Sequence, residues 1–169
     1  TIVGPGTVTS FQAGTLITGS DGTSVKRVTF DGNKIAVFMT GTTNSVIEQN
    51  MIGPNSIGVA AHSSDMVDVH ANLMSSNSLA GVTFVNTDKS TVWANSIGGS
   101  ANGIFLDSQS GKNTMKFNNV LGNTLDINNA DGLALNINDN QFEKDNCNTS
   151  NPVGPVSYTH LTLPTTSRV

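Results

Sequence analysis

Apolar residues recur along this chain at a fixed spacing of 22 to 23 residues. The clearest column of such positions contains Val25, Ile47, Val69, Val92, Met115 and Ile137. Three further columns keep the same register at three, five and eight positions beyond the first. They contain Val28, Asn50, Asn72, Asn95, Asn118 and Asn140; then Phe30, Ile52, Met74, Ile97, Val120 and Phe142; then Asn33, Asn55, Asn77, Ser100, Asn123 and Asp145. A spacing held over so many units predicts a repeat architecture.

Each unit contains short segments in which apolar and polar residues alternate, which is typical of a strand with one buried face. A second apolar segment follows in most units, as in Val82 and Phe84, and a small residue such as Gly81 precedes it. A unit of this length cannot bury an apolar face alone, but stacked units pair each strand with its equivalents above and below. The pattern therefore predicts an all-β parallel solenoid with an apolar interior.

The asparagine columns have a different physical cause. At a corner between two strands, an Asn side chain can hydrogen-bond backbone groups that the turn leaves unpaired. When Asn residues stack on one another, their amides also satisfy each other, and this avoids a cost of about 1–3 kcal/mol per buried unpaired group. We therefore expect structural ladders at Asn50, Asn72, Asn95, Asn118 and Asn140, and at Asn33, Asn55, Asn77 and Asn123.

The repeat units at residues 58–74 and 81–97 show the whole pattern. This pattern resembles the right-handed parallel β-helix repeat of the pectin-lyase-like superfamily, over residues 1 to about 150. The resemblance implies a single right-handed parallel β-helix of about six to seven rungs. Leucine-rich repeats have a similar period, but the chain is short of Leu and has Gly, Ser and Asn where their convex helix needs helix formers.

The two ends of the chain differ from the repeat. We expect the β-helix to occupy residues 1–145, truncated at its N-terminus, and a C-terminal loop to occupy residues 146–155. Residues 156–169 lose the Gly and Asn of the repeat, and the string VSYTHLTLPT within them resembles a translated sequencing adapter. We interpret this tail as non-native and exclude it from the reasoning on function.

Composition narrows the possible partners. The chain has 169 residues, a formal net charge of −4 and no cluster of Lys or Arg, which argues against nucleic acid as a partner. No apolar run approaches the ~20 residues that span a bilayer. No zinc spacing, calcium nonapeptide or phosphate-binding loop occurs, so we expect no cofactor and no metal. The sequence leaves the oligomeric state and the role of the single cysteine, Cys147, open.

Residues that directly follow the first apolar column should point to solvent. Equivalent positions on successive rungs bring Glu48, His70 and Trp93 within reach of one another, with Asp68 beside His70 on the same face. An indole can stack on a sugar ring while polar groups fix its hydroxyls, and a carboxylate can tune a His that carries protons. We predict Trp93, Lys26 and Lys116 as substrate-binding residues, and Glu48, His70 and Asp68 as catalytic candidates; ordinary solvated side chains are the alternative.

The resemblance implies an extracellular or cell-surface domain that interacts with polysaccharide, its signal peptide lost by the truncation. Such a domain can belong to a polysaccharide lyase, a glycoside hydrolase or an epimerase. The short catalytic motifs of these enzymes are absent, and Arg27 is the only Arg before the tail, so whether the protein is an enzyme stays open. The alternative is a non-catalytic structural stalk or an adhesin-like repeat domain, for which the rigid rod is the function.

Overall fold

The computed structural model describes residues 1–130 and 140–151. Within these ranges the chain is all-β, without a helix, and every strand pairs in parallel with strands one turn away. Ile137 and the tail at 156–169 lie outside the described residues. The predicted fold is confirmed: stacked coils form a parallel β-solenoid with three sheets of seven strands each.

Successive turns contribute one strand to each sheet in a fixed order. In chain order the strands are β1 (Ile2–Val3), β2 (Thr7–Thr9), β3 (Ala13–Thr18), β4 (Ser24–Lys26), β5 (Thr29–Asp31), β6 (Ile35–Thr40), β7 (Val46–Glu48), β8 (Met51–Ile52), β9 (Ile57–His62), β10 (Asp68–His70), β11 (Leu73–Ser75), β12 (Ala80–Val85), β13 (Thr91–Trp93), β14 (Ser96–Gly98), β15 (Asn102–Leu106), β16 (Thr114–Lys116), β17 (Asn119–Val120), β18 (Leu125–Asn129), β19 (Gln141–Glu143), β20 (Asn146–Cys147) and β21 (Ser150–Asn151). The first sheet contains β1, β4, β7, β10, β13, β16 and β19; the second and third sheets contain the strands that follow them in each turn.

The register of the first sheet follows the predicted apolar column through five turns. Val69 pairs with Ile47 on one side and with Val92 on the other, and Val92 pairs with Met115. These side chains point inward and are fully buried, as are those of Phe30, Phe84 and Ile104 from the other sheets. Like residues therefore stack on like along the axis, and this stacking removes the apolar columns from water.

The last turn differs from the predicted register. Met115 pairs with Phe142 instead of Ile137, so this turn is 27 residues long where the others have 22 or 23. Consequently Asn140 does not follow Asn118; its Oδ1 accepts from the backbone N–H of Asn113 at 3.0 Å, at another corner. The place after Asn118 is taken by Asp145, which the sequence had placed beyond Asn123. The physical reason is the longer connection, which shifts the first three columns by five positions, to Phe142, Asp145 and Cys147.

The asparagine ladders are confirmed at two corners. At the first corner, Asn72 Oδ1 accepts from the backbone N–H of Asn50 at 3.0 Å and from its Nδ2 at 2.9 Å. The Nδ2 of Asn72 donates in turn to the carbonyl of Ile47 at 2.8 Å. The first ladder runs through Asn50, Asn72, Asn95, Asn118 and Asp145. The second has two bonded stretches, Asn33, Asn55 and Asn77, then Ser100, Asn123 and Asp126; the buried hydroxyl of Ser100, between them, has no partner in the part of the chain that the structure describes. Each corner thus satisfies backbone groups that the turn leaves unpaired.

The corner between the first and second sheets is made by one residue in the left-handed conformation. The φ values there lie between 52° and 58°. A side chain at such a position projects outward from the edge between two sheets, beside the strand face that precedes it. The residues of this first-corner column are Arg27, Gln49, Ala71, Ala94, Phe117 and Lys144.

The start of the third sheet needs small residues because backbones approach closely there. A Cβ on Gly81 would lie 2.8 Å from the carbonyl oxygen of Gly103 and would overlap Ile97. Farther along the chain, β20 and β21 pair with β17 and β18 and extend the solenoid to Asn151. These two strands lie within residues 146–155, where a loop was expected.

Candidate functional site

The outer face of the first sheet brings the predicted site residues together. Glu48, His70 and Trp93 occupy the same position on three consecutive rungs, because His70 pairs with Glu48 on one side and with Trp93 on the other. Lys26 pairs with Glu48, and Lys116 pairs with Trp93, so both lysines flank the row. The next position belongs to Glu143. The predicted register would have put Asn138 there, directly after Ile137 of the first apolar column, and Asn138 lies outside the described residues.

His70 sits at the centre of this row. Its Nε2 donates to Oε2 of Glu48 at 2.9 Å, since a carboxylate can only accept. Its Nδ1 is buried and lies 3.1 Å from Oδ1 of Asp68, close enough for an ion pair but without hydrogen-bond alignment. The ring stacks on the indole of Trp93 with centroids 4.5 Å apart and planes 16° from parallel. His70 is therefore held on three sides by the other members of the site.

The indole of Trp93 is fixed as well. Its Nε1 donates to Oδ1 of Asp68 at 2.8 Å, across one rung. One face of the ring is covered by His70, and the residue as a whole is only partly buried. Lys116 lies on the following rung, and it makes no ion pair with another described residue.

Electrostatics keep Glu48 ionised. The ammonium of Lys26 bonds to Oε1 of Glu48 and holds the pKa of that carboxyl below its usual range; desolvation opposes this shift and the bond from His70 adds to it. The side chains of Glu48 and His70 are 18% and 14% exposed, so the row is partly shielded from water. The charge-assisted bonds from Lys26 and His70 fix the position of the Glu48 carboxylate before a ligand binds, so little conformational entropy is lost there on binding.

The contacts of His70 favour a binding role for this residue over proton transfer to a substrate. A general base must present a free nitrogen or oxygen within hydrogen-bond reach of the substrate. Both ring nitrogens of His70 face carboxylates within the site, and Trp93 already donates to Asp68. The row therefore presents a fixed aromatic ring between polar groups, while the ring nitrogens of His70 are bonded to Glu48 or buried against Asp68.

The sequence reasoning missed Phe117 and Gln49, which belong to the first-corner column beside this face. Phe117 is 54% exposed and the Nζ of Lys144 lies 5.3 Å from its ring centroid. Gln49 accepts a hydrogen bond from Arg27. The signal that could have revealed them is their position directly after the outward residue of each first strand, where the chain has to turn.

Metal-binding donors do not converge in residues 1–130 and 140–151, where no three His, Cys, Asp or Glu side chains are placed to hold one ion. Met39, Met74 and Met115 are buried in the apolar interior. Burial raises the pKa of the Cys147 thiol to about 11, so it stays protonated at neutral pH. Those same residues form no helix long and apolar enough to cross a bilayer.

Comparison with known proteins gives one family. A family model described as periplasmic copper-binding protein (NosD) matches residues 2–159. No curated protein matches the chain. Copper prefers imidazole, thiolate and thioether ligands, and no three His, Cys, Asp or Glu side chains of the described residues are placed to hold one ion. The match covers almost the whole chain, and the chain therefore belongs to the NosD family of β-helix proteins.

Proposed function

We propose that this chain is an extracytoplasmic β-helix that binds polysaccharide, without cleaving it, on the outer face of its first sheet. The periplasmic description of its family supports a location outside the cytoplasm. The observation that carries the proposal is the fixed indole of Trp93, which is stacked on His70 and hydrogen-bonded to Asp68. An aromatic ring whose position is set before binding loses little conformational freedom when a sugar packs on it.

The arrangement of charges around Trp93 supports the same reading. Lys26 and Lys116 lie at the two ends of the row, about 19 Å apart at the usual strand spacing. Glu48 and Asp68 supply acceptors between them, so the face offers both donors and acceptors to hydroxyl groups. A ligand that runs along the solenoid axis could contact successive rungs at the same position on each one.

A glycan array followed by titration calorimetry with the strongest ligand tests this proposal. We expect Trp93→Ala to weaken binding at least tenfold, since buried aromatic anchors carry much of an interface's affinity. Phe105→Ala is the matched control, because Phe105 is a partly buried aromatic residue on the outer face of the third sheet. The circular-dichroism spectrum should keep its β form in both variants, and unchanged affinity of Trp93→Ala would refute this face as the site.

The second candidate function is that of a structural rod without a ligand. It is favoured because the polar groups of the face satisfy each other, as in the bonds from Lys26 and His70 to Glu48. Absence of binding across the glycan array would support it. Incubation with acidic polysaccharides separates both candidates from an enzyme: we expect no release of shorter or unsaturated products, whereas release would restore Glu48, His70 and Asp68 as catalytic residues.

A further inference from the structure

A groove of about 410 Å³ lies at the first corner of the solenoid, around the edge from the first-sheet face. Its volume falls in the range of sites for small molecules, roughly 300–1,000 Å³. Arg27 and Gln49 of the first-corner column line it, together with residues that lead into and form the second sheet. Those further residues are Pro5, Gly6, Thr7, Val28, Thr29 and Met51.

The guanidinium of Arg27 is oriented within this groove. Its Nε donates to Oε1 of Gln49 at 3.1 Å, on the adjacent rung. Both residues have positive φ, so the two side chains leave the corner side by side. The two terminal nitrogens of Arg27 make no hydrogen bond or ion pair with any acceptor in residues 1–130 and 140–151. Arg27 thus keeps one planar edge of N–H donors free.

The positive charge of Arg27 is also not neutralised by any other residue that lines the groove. None of the residues that line it is Asp or Glu, so Arg27 is its single charged group. The nearest cation along the chain, Lys26, is bonded to Glu48 on the neighbouring face. One cation with a planar fork matches a carboxylate, which is planar and carries one negative charge, better than it matches a phosphate dianion. Thr7 and Thr29 add hydroxyl groups, and the exposed Met51 adds an apolar surface.

We propose that this groove is a binding site for a small carboxylate-bearing molecule, whose carboxylate is held by Arg27. The carbon skeleton of the ligand packs on Met51, and its hydroxyl groups reach Thr7 and Thr29. The site is separate from the Trp93 face, so it does not depend on the polysaccharide proposal.

Nuclear magnetic resonance on the full chain tests this site directly. The sequence contains two Arg residues, Arg27 and Arg168, so the side-chain Nε–H signals are few, and loss of one signal in Arg27→Lys assigns it. Galacturonate is the probe, galactose is its neutral counterpart, and inorganic sulfate tests a tetrahedral anion. We expect galacturonate to shift the Arg27 signal in a saturable manner, and galactose to leave it unchanged.

Two substitutions separate the charge of Arg27 from its geometry. Arg27→Gln should weaken galacturonate binding about ten- to a hundredfold, as expected for loss of a charged hydrogen-bonded partner. Arg27→Lys should weaken it by a smaller factor, because the charge stays while the fork is lost. Lys89→Gln is the matched control: Lys89 also has a positive φ, at 52°, and the same charge is removed at another corner. Binding should be unchanged there.

The outcomes distinguish this proposal from the one on the first-sheet face. Trp93→Ala should leave galacturonate binding intact even where it abolishes binding of a polysaccharide. The proposal is overturned if no Arg27 signal responds, if galactose or sulfate gives a response as large as that of galacturonate, or if Arg27→Gln binds as well as the unsubstituted chain.

Discussion

Asp145 is a carboxylate in a place built for an amide. It closes the first asparagine ladder, where its Oδ1 accepts from the backbone N–H and the Nδ2 of Asn118 at 2.9 and 2.8 Å. Its Oδ2 is buried and has no hydrogen-bond partner among the described residues. Burial therefore raises the pKa of Asp145 to about 6, and the bonds from Asn118 only partly oppose this shift.

Asp145 should make stability depend on pH. Because the pKa of the folded state lies above the ordinary value of 3.8, the folded chain holds this proton more tightly. The free energy of unfolding should fall as pH rises from about 4 to 6, by on the order of 2 to 3 kcal/mol. Asp145→Asn should remove that decline and be the more stable protein above pH 6. Urea denaturation between pH 4 and 8 measures both, and parallel pH profiles of the two proteins would contradict the assignment.

The same region explains why the sequence predicted the wrong partner for Met115 in the last turn. Ile137, Asn140 and Phe142 have the spacing of the repeat, and Phe142, Asp145 and Cys147 have it too. Both sets have the spacing found within a unit, and the step of 22 residues from Met115 favoured Ile137. The structure pairs Met115 with Phe142 because the ladder position accepts hydrogen bonds from Asn118, which a carboxylate oxygen can do as well as an amide oxygen.

At the scale of the elements, the ladders join each turn to the next. Asn72 lies inside the first ladder: its Oδ1 accepts from Asn50, and its Nδ2 donates to Oδ1 of Asn95 at 3.0 Å. Its removal would leave the backbone N–H of Asn50 and the carbonyl of Ile47 buried without these partners.

Asn72→Ala should therefore destabilise the fold by about 3 kcal/mol or more, since each buried unpaired group costs about 1–3 kcal/mol. Asn146→Ala is the control, because Asn146 donates to Asn119 from an exposed position on the second sheet. That variant should change the free energy of unfolding by less than about 0.5 kcal/mol. Equal urea midpoints for Asn72→Ala and Asn146→Ala would show that the ladder is not stabilising.

The sequence predicted those features of the site that depend only on the backbone register. Stacking of equivalent positions was enough to place Glu48, His70 and Trp93 on consecutive rungs with Asp68 beside them. The sequence could not show that Asp68 bonds to the indole, because that contact depends on side-chain rotamers. It also could not show the groove at Arg27, which exists because the corner residues turn outward with positive φ.

At the scale of the whole molecule, membership of the NosD family accounts for the β-helix architecture, whereas the described residues do not form the metal site that the family's description names. Dialysis against a strong chelator should leave the urea midpoint and the circular-dichroism spectrum unchanged, because described donor groups do not converge on a metal position. Addition of excess Cu²⁺ to the dialysed protein should not raise the midpoint. A midpoint that fell with chelator and recovered with Cu²⁺ would show that the protein holds copper structurally.

The strictly parallel, turn-to-turn pairing gives the molecule a mechanical character. Each of the 21 described strands is bonded only to its equivalents in the turns directly before and after it, so none of these strands joins distant turns. When a pulling force is applied to its two ends, the solenoid should unfold one turn at a time. Each released loop of 22 residues would lengthen the tether by about 70 Å. Such stepwise unfolding would let the solenoid absorb a pulling force while its remaining turns stay folded.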